Sequence, residues 1–175
     1  MRYWITTQWP EYDIKDSSSH ACIWVRENGR EIIKQMAIGD YVFIYESKTG
    51  PCRYCNGEQF CSPTDKNCRI CRAKKGKKGI VELRRICSEV QKNDKFSYFS
   101  NRKSDKELWG WYRETDLVNQ FGKASPSVEV NKVLGYKSGY NLHGFGQNHS
   151  GIREIKNTEY KELLAYAHKV IYQEI

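Results

Sequence analysis

The sequence has no long apolar run. No stretch of its 175 residues approaches the roughly 20 consecutive apolar residues of a membrane-spanning helix. The start, Met1-Arg-Tyr-Trp-Ile-Thr-Thr-Gln8, lacks a basic region followed by an apolar one. These absences predict a cytoplasmic protein with no membrane partner. Internal repeats are missing too, and the only low-complexity stretch is the short Lys74-Lys75-Gly76-Lys77-Lys78, which argues against a solenoid or a disordered chain. Acidic charge is in deficit: 21 Asp and Glu against 29 Lys and Arg leave a formal +8, a balance that favours polyanions such as nucleic acid.

What is present is aromatic. Twelve Tyr and five Trp, within 39% apolar residues, give enough surface to bury in a folded core. The length suits one domain, residues 1–175, with one substantial insertion.

Tyr3 to Thr7 reads as a strand, followed by a polar loop with Pro10, Asp16 and Ser17 to Ser19, then the short apolar run Cys22-Ile-Trp-Val25. Ile32, Ile33 and Met36 recur at helical spacing, and Gly39-Asp40 supplies a stop and turn. Tyr41 to Glu46 and Gly79 to Cys87 are β-branched and aromatic, and they predict two strands of one sheet; in the second, Val81, Leu83 and, with a shift of phase, Ile86 face inward. Glu89 to Leu108 is polar and suggests at most a short strand or loop platform. Val128, Val130 and Val133 suggest a strand over Ser127 to Leu134, followed by a Gly-rich loop from Gly135 to Gly151. From Thr158 onward Leu163, Leu164, Ala167, Val170 and Ile171 form one stripe of an amphipathic helix, with Asn157 or Thr158 as its N-cap. The fold class predicted is α+β, a strongly bent sheet with few helices.

Between the two central strands, residues 48–78 carry five of the seven cysteines and no periodic apolar pattern. Such a segment needs an internal staple. Cys52-x2-Cys55 and Cys68-x2-Cys71 offer two thiolate pairs that can converge tetrahedrally on a structural Zn²⁺, with Cys61 an alternative ligand inside the loop. Disulfides are disfavoured in a reducing compartment, and a redox pair lacks the βαβ context. Four protein ligands leave no open position for water, so the site would fold the insertion rather than catalyse. Cys22 and Cys87 read as buried small hydrophobes. Arg53, Lys66, Arg69, Arg72, Lys74, Lys75, Lys77, Lys78, Arg84 and Arg85 surround the cluster, either as a phosphate-neutralising face or as a solvated loop.

Tyr3-Trp-Ile-Thr-Thr7, Trp24-Val-Arg-Glu-Asn-Gly-Arg30, Met36-Ala-Ile-Gly-Asp-Tyr-Val-Phe-Ile-Tyr-Glu-Ser47 and Gly79-Ile-Val-Glu-Leu83 resemble the EVE domain family in order and spacing. Gly144 to Ile155, followed by Thr158-Glu-Tyr-Lys-Glu-Leu-Leu164, resembles the close of that domain; Glu89 to Tyr140 does not match. The resemblance implies a PUA-like fold approaching a β-barrel, akin to YTH domains, and no enzymatic activity of its own. It implies a reader of a methylated or hydroxymethylated base, in DNA rather than RNA, in a family frequently attached to modification-dependent restriction nucleases. Such a reader takes a base out of its stack and holds it between aromatic faces.

By position the resemblance assigns Trp24, placed in a loop after the first strand, to stacking and Gln8 to the base edge, with Thr7 beside it in the pocket. Tyr45 would line the pocket, with Trp109 or Trp111 as its second wall. Arg26, Gln147, Asn148 and Arg153, with Lys74, Lys75, Lys77 and Lys78, would contact the backbone of the nucleic acid. Plainer readings stand beside these: Trp24 and Trp111 as core aromatics, and Arg153 as half of a surface ion pair.

Three other functions compete. A ββα-metal nuclease is suggested by His143, Asn148 and His149, but there the zinc cysteines frame the histidine, whereas here strands intervene. A small hydrolase of modified nucleosides would need a Lys and Glu spacing that Gly29-Arg-Glu-Ile-Ile-Lys34 does not reproduce. An RNA-processing or protein-interaction module would need only the basic zinc knuckle.

Overall fold

The computed structural model describes residues 1–8, 21–47, 78–92, 110–138, 140 and 151–172. Strands are β1 (Tyr3–Gln8), β2 (Cys22–Val25), β3 (Tyr41–Glu46), β4 (Gly79–Ile86), β5 (Gln91–Lys92), β6 (Trp111–Pro126) and β7 (Ile152–Ile155). Helices are α1 (Arg30–Gln35), α2 (Ser127–Val133) and α3 (Asn157–Tyr172). The strands form one curled seven-stranded sheet in the order β2-β6-β4-β3-β1-β7, with β5 also on β6. This mixed half-barrel is the α+β architecture predicted. The insertion over 48–78 and its cysteines lie outside the described residues, apart from Lys78.

Strand β3 explains why Tyr41 to Tyr45 reads as an unbroken apolar run. It is central and parallel to β1, and both its faces are covered. Ile5, Phe43, Tyr45, Ile80, Leu83, Phe121, Val130, Leu134, Ile155, Leu163 and Ala167 pack beneath α2 and α3. Trp4, Val42, Ile44, Val81, Ile86 and Ile152 pack on the other face, with Ile23 and Val25 of β2 and Ile32, Ile33 and Met36 of the α1 region. We call these the α3 face and the α1 face. Tyr160 of α3 lies on Tyr3, ring centroids 4.0 Å apart, and seals its side of the sheet.

The phase shift predicted in β4 is real and larger than expected. Val81 belongs to the α1 face and Leu83 to the α3 face, because the pairing slips between Ile80 and Glu82 and again between Leu83 and Arg84. The turn into β3 is made by Gly39, whose φ of 91° a side chain would resist.

Two local expectations are corrected. Ser127 to Val133 is helical, not extended: Val130, Val133 and Leu134 sit three and four residues apart against the α3-face core, while Val128 is 53% exposed. Packing against α3 outweighs the β preference of three valines. Helix α3 starts at Asn157, and the contact at its start comes from Glu159, whose Oε2 accepts from the Lys156 N–H at 2.6 Å, not from an Asn157 or Thr158 cap. Leu163 and Ala167 are buried as the stripe predicted.

Strand β6 was not legible. Its inward positions carry Arg113 and Thr115, so the alternation that marks a strand is disguised by polar residues. Its first residues pair with β2 and β5, and from Thr115 onward it pairs with β4.

Candidate nucleic-acid interface

All five buried acidic and basic side chains among the described residues, Asp40, Glu46, Glu82, Arg84 and Arg113, belong to the α1 face. Asp40 is anchored at one end: it accepts from Trp4 Nε1 at 3.0 Å, from the Ala37 N–H at 3.0 Å and from the Arg2 N–H at 2.8 Å. Burial pushes this carboxyl upward, but the three donors and the Arg2 charge outweigh it and hold the group below the ordinary aspartate range. Arg84 Nε donates to Glu82 Oε2 at 2.6 Å, both buried, and its NH1 reaches the Thr115 carbonyl at 3.4 Å. Arg113 donates to the Ile33 and Ser88 carbonyls, at 3.0 and 2.7 Å. Burial lowers its pKa.

The C-terminal ends of β1 and β3 and the start of β7 are tied together. Thr7 N–H donates to the Gly151 carbonyl at 2.9 Å and Ser47 N–H to the Gln8 carbonyl at 2.8 Å. Gly151 has φ of 73°, a backbone conformation that strains any side chain, although a Cβ there would make only ordinary contact with Thr7 Cβ at 3.8 Å. Gln8 is paired with Glu46 and Thr7 with Tyr45. Because side chains alternate along a strand, Gln8 and Glu46 continue the α1 face, while Thr7 follows Ile5 and Tyr45 toward the α3 face. Tyr45 is 4% exposed and packed in the α3-face core, and its phenol is pushed upward by burial.

Trp24 is not in a loop: it lies on β2, opposite Tyr112 of β6. The apolar run Cys22 to Val25 is extended because Ile23 and Val25 alternate into the α1-face core, which turns Trp24 and Cys22 away from it. The Trp24 and Tyr112 rings are 4.7 Å apart at 31°, and the Tyr112 hydroxyl donates to Gln91 Oε1 at 2.8 Å. Trp111, opposite Val25, points to the other side of β6. Its Nε1 donates to Glu27 Oε2 at 2.6 Å, and the Arg30 guanidinium lies 4.5 Å from its ring centroid. The Trp111 hydrogen bond is the main reason the Glu27 carboxyl is lowered. Trp24 and Trp111 are therefore not two walls of one slot. In sheet order β6, β4 and β3 lie between Trp24 and Gln8.

Arg153 is held within the fold. It donates to the Leu134 carbonyl at 3.0 Å and to Glu159 Oε1 at 2.8 Å, and covers the Tyr136 ring. Arg26 is exposed at the end of β2, and Lys78, exposed with φ of 52°, leads into β4. Trp109, Lys74, Lys75, Lys77, Gln147 and Asn148 lie outside the described residues, as do Cys52, Cys55, Cys61, Cys68 and Cys71. Among the described residues no three His, Cys, Asp or Glu side chains are grouped as metal ligands. No helix there is long and apolar enough to cross a membrane.

The two remaining cysteines are not the buried pair expected. Cys87 is exposed and Cys22 only half-buried, since each flanks Glu114 at the side of β6 facing away from the α1-face core. Burial, then the Glu114 charge, pushes the Cys22 thiol up to about 11, so it is a poor nucleophile at neutral pH.

Sequence reasoning missed Tyr112 and Glu46. Tyr112 was hidden by attention to its neighbour Trp111, though alternation sends adjacent residues to opposite faces. Glu46 had a signal: it is a carboxylate at the inward phase of an apolar strand.

The sequence pattern of the EVE domain matches residues 2–166. A comparison with curated proteins finds no match. Among solved structures, the chain is similar to a hypothetical protein from Leishmania major, at 14% identity and TM-score 0.57, covering 97% of this chain and 96% of that one. It is also similar to a protein from Agrobacterium tumefaciens, at 11% identity and TM-score 0.54, covering 95% and 93%. Human THYN1, in complex with DNA containing 5-methylcytosine, is similar at 17% identity and TM-score 0.53, covering 95% and 98%. At these identities the likeness is one of fold.

Proposed function

Because this chain belongs to the EVE domain family, we propose that it is a non-enzymatic nucleic-acid-binding module that recognises a modified base, in DNA in preference to RNA. One observation carries the reading: the family pattern spans almost the whole chain, and a protein of the same fold, human THYN1, is held in complex with 5-methylcytosine DNA. The formal charge of +8 supplies the attraction to phosphate, which falls with added salt. In this reading Trp24 stacks on a base, with Tyr112 extending its aromatic surface. Gln8, on the opposite face of the sheet with β6, β4 and β3 between it and Trp24, meets a base edge at a separate point, and Arg26 and Lys78 serve the backbone.

The test is a binding screen of one oligonucleotide with and without methylated or hydroxymethylated cytosine and methylated adenine, as DNA and RNA, single- and double-stranded, at fixed salt. One modified DNA is expected to bind at least about tenfold tighter than its plain counterpart, the size of one good base contact. Trp24→Ala should collapse that ratio and leave the salt dependence. Equal binding to every member would sink the proposal.

The insertion has its own expected outcome. Cys52, Cys55, Cys68 and Cys71 are proposed to hold one structural Zn²⁺, since two Cys-x2-Cys turns provide a closed thiolate set. Metal analysis of the purified chain should give one zinc per molecule, and Cys52→Ser with Cys68→Ser should give none.

A further inference from the structure

The α1 face changes character along β1 and β3. Near their starts it carries Trp4 and Val42; at their C-terminal ends it carries Thr6, Gln8 and Glu46. Glu46 is 8% exposed, and Gln8 is its direct partner in the parallel ladder, so the two side chains leave the same face roughly 4.8 Å apart at the backbone. The Gln8 amide nitrogen is covered and meets no acceptor among the described residues. A covered donor without a partner is costly, and natural folds keep few of them. Two other buried polar atoms share that condition, Arg30 Nε and Asn131 Oδ1. Both of those side chains are otherwise held, Arg30 over Trp111 and Asn131 by its own amide on the Tyr140 carbonyl. Gln8 is instead placed at a strand end, beside a carboxylate.

Resting on the reading of this chain as a modified-base binder, we infer that Gln8 and Glu46 form an edge-reading pair selective for bases with an exocyclic amine beside a ring-nitrogen acceptor. The chemistry is complementary. An ionised carboxylate only accepts, and with two oxygens it takes a bond from an amine in addition to those it already makes. The amide nitrogen only donates, and it meets the ring nitrogen. Cytosine and adenine present that donor and acceptor side by side on their Watson–Crick edges. Guanine presents the reverse order along that edge, and thymine or uracil held in the same place sets its O4 against the carboxylate and its N3–H against the amide nitrogen; offering N3–H and O2 instead requires the ring to shift by one position. A site built on paired polar groups rejects a base that leaves them unpaired. Gln8 as a whole stays half-buried, and its terminal torsion is broad, so a base reaching its exposed part needs only a turn of the amide.

Thymine and 5-methylcytosine carry the same methyl group and differ at this edge, so they separate edge reading from methyl reading. Single-stranded oligonucleotides with 5-methylcytosine, cytosine or thymine at one position avoid any difference in duplex opening. The wild-type chain is expected to bind 5-methylcytosine at least about tenfold tighter than thymine. Glu46→Gln, which offers either a donor or an acceptor, should bring that ratio toward one. Gln8→Leu should reduce 5-methylcytosine affinity with thymine affinity unchanged. Melting curves establish that each variant is folded, and the wild-type comparison decides even if a variant is not. Equal wild-type binding of thymine and 5-methylcytosine, with cytosine bound more weakly, overturns the edge pair and leaves the modified-base reading intact. Equal binding of cytosine and 5-methylcytosine, with methylated adenine also bound no tighter than adenine, overturns that reading instead.

Discussion

The two faces of one sheet are buried to the same degree and built from different chemistry. On the α3 face Phe43, Phe121, Ile80, Leu163 and Ala167 meet without a buried acid or base, and the phenols there are neutral at physiological pH. On the α1 face Trp4, Ile44 and Ile33 share the interior with Asp40, Glu46, Glu82, Arg84 and Arg113. An apolar interior is the simpler way to hold a sheet against a helix, since burying a charge stabilises only when partners replace its water. The difference teaches that both faces hold the fold, the α3 face by apolar packing alone and the α1 face with buried charges each given internal partners.

Three measurements break or sharpen that contrast. The largest effect is expected at Phe43→Ala, which empties the centre of the α3 face; it should cost about 3–5 kcal/mol in denaturant unfolding and leave the ratio of modified to plain base binding unchanged in the folded fraction. A change in that ratio in the folded Phe43→Ala protein would remove the contrast.

Next comes the buried pair. Glu82→Met leaves Arg84 charged and should cost roughly 3 kcal/mol, the low end for such a loss because Thr115 still accepts from the guanidinium. Replacing both Glu82 and Arg84 with Met should recover most of it. If the double variant is as unstable as the single one, the pair is part of the framework rather than an addition to it.

The smallest effect is at Asp40. Its pKa is depressed in the folded chain, so its contribution is fully present above the unfolded value of about 3.9 and is lost as pH falls through the lower folded value. Asp40→Asn should cost about 1–3 kcal/mol at neutral pH and flatten the stability profile below about pH 4, as read by thermal melts across pH. An unchanged acid limb would mean that another carboxylate governs it.

Much of the framework was legible. Strands β1, β3 and β4 declare themselves by β-branched and aromatic runs, α1 by Ile32, Ile33 and Met36, and α3 by its apolar stripe. Strand β6 was hidden because Arg113 and Thr115 occupy buried positions, and α2 was misread because valines suit a strand wherever packing does not decide. The candidate site was less legible still. Thr7 and Gln8 were grouped as neighbours in sequence, yet alternation parts them to different faces; Trp24 and Trp111 were grouped as walls of one slot, yet the ladder sets Trp24 against Tyr112.

The sequence by itself determined β1, β3, β4, α1 and α3 and the positive charge, because composition and period 2 or 3.6 patterns act over a few residues and need no partner, and its motifs carried the resemblance to the family. Only the tertiary structure decided which side chains stand together. Glu46 reaches Gln8 because β3 lies parallel to β1, and Tyr112 reaches Trp24 because β6 lies antiparallel to β2. Pairing direction and register join segments distant in the chain, and one residue of slip would send every side chain to the opposite face.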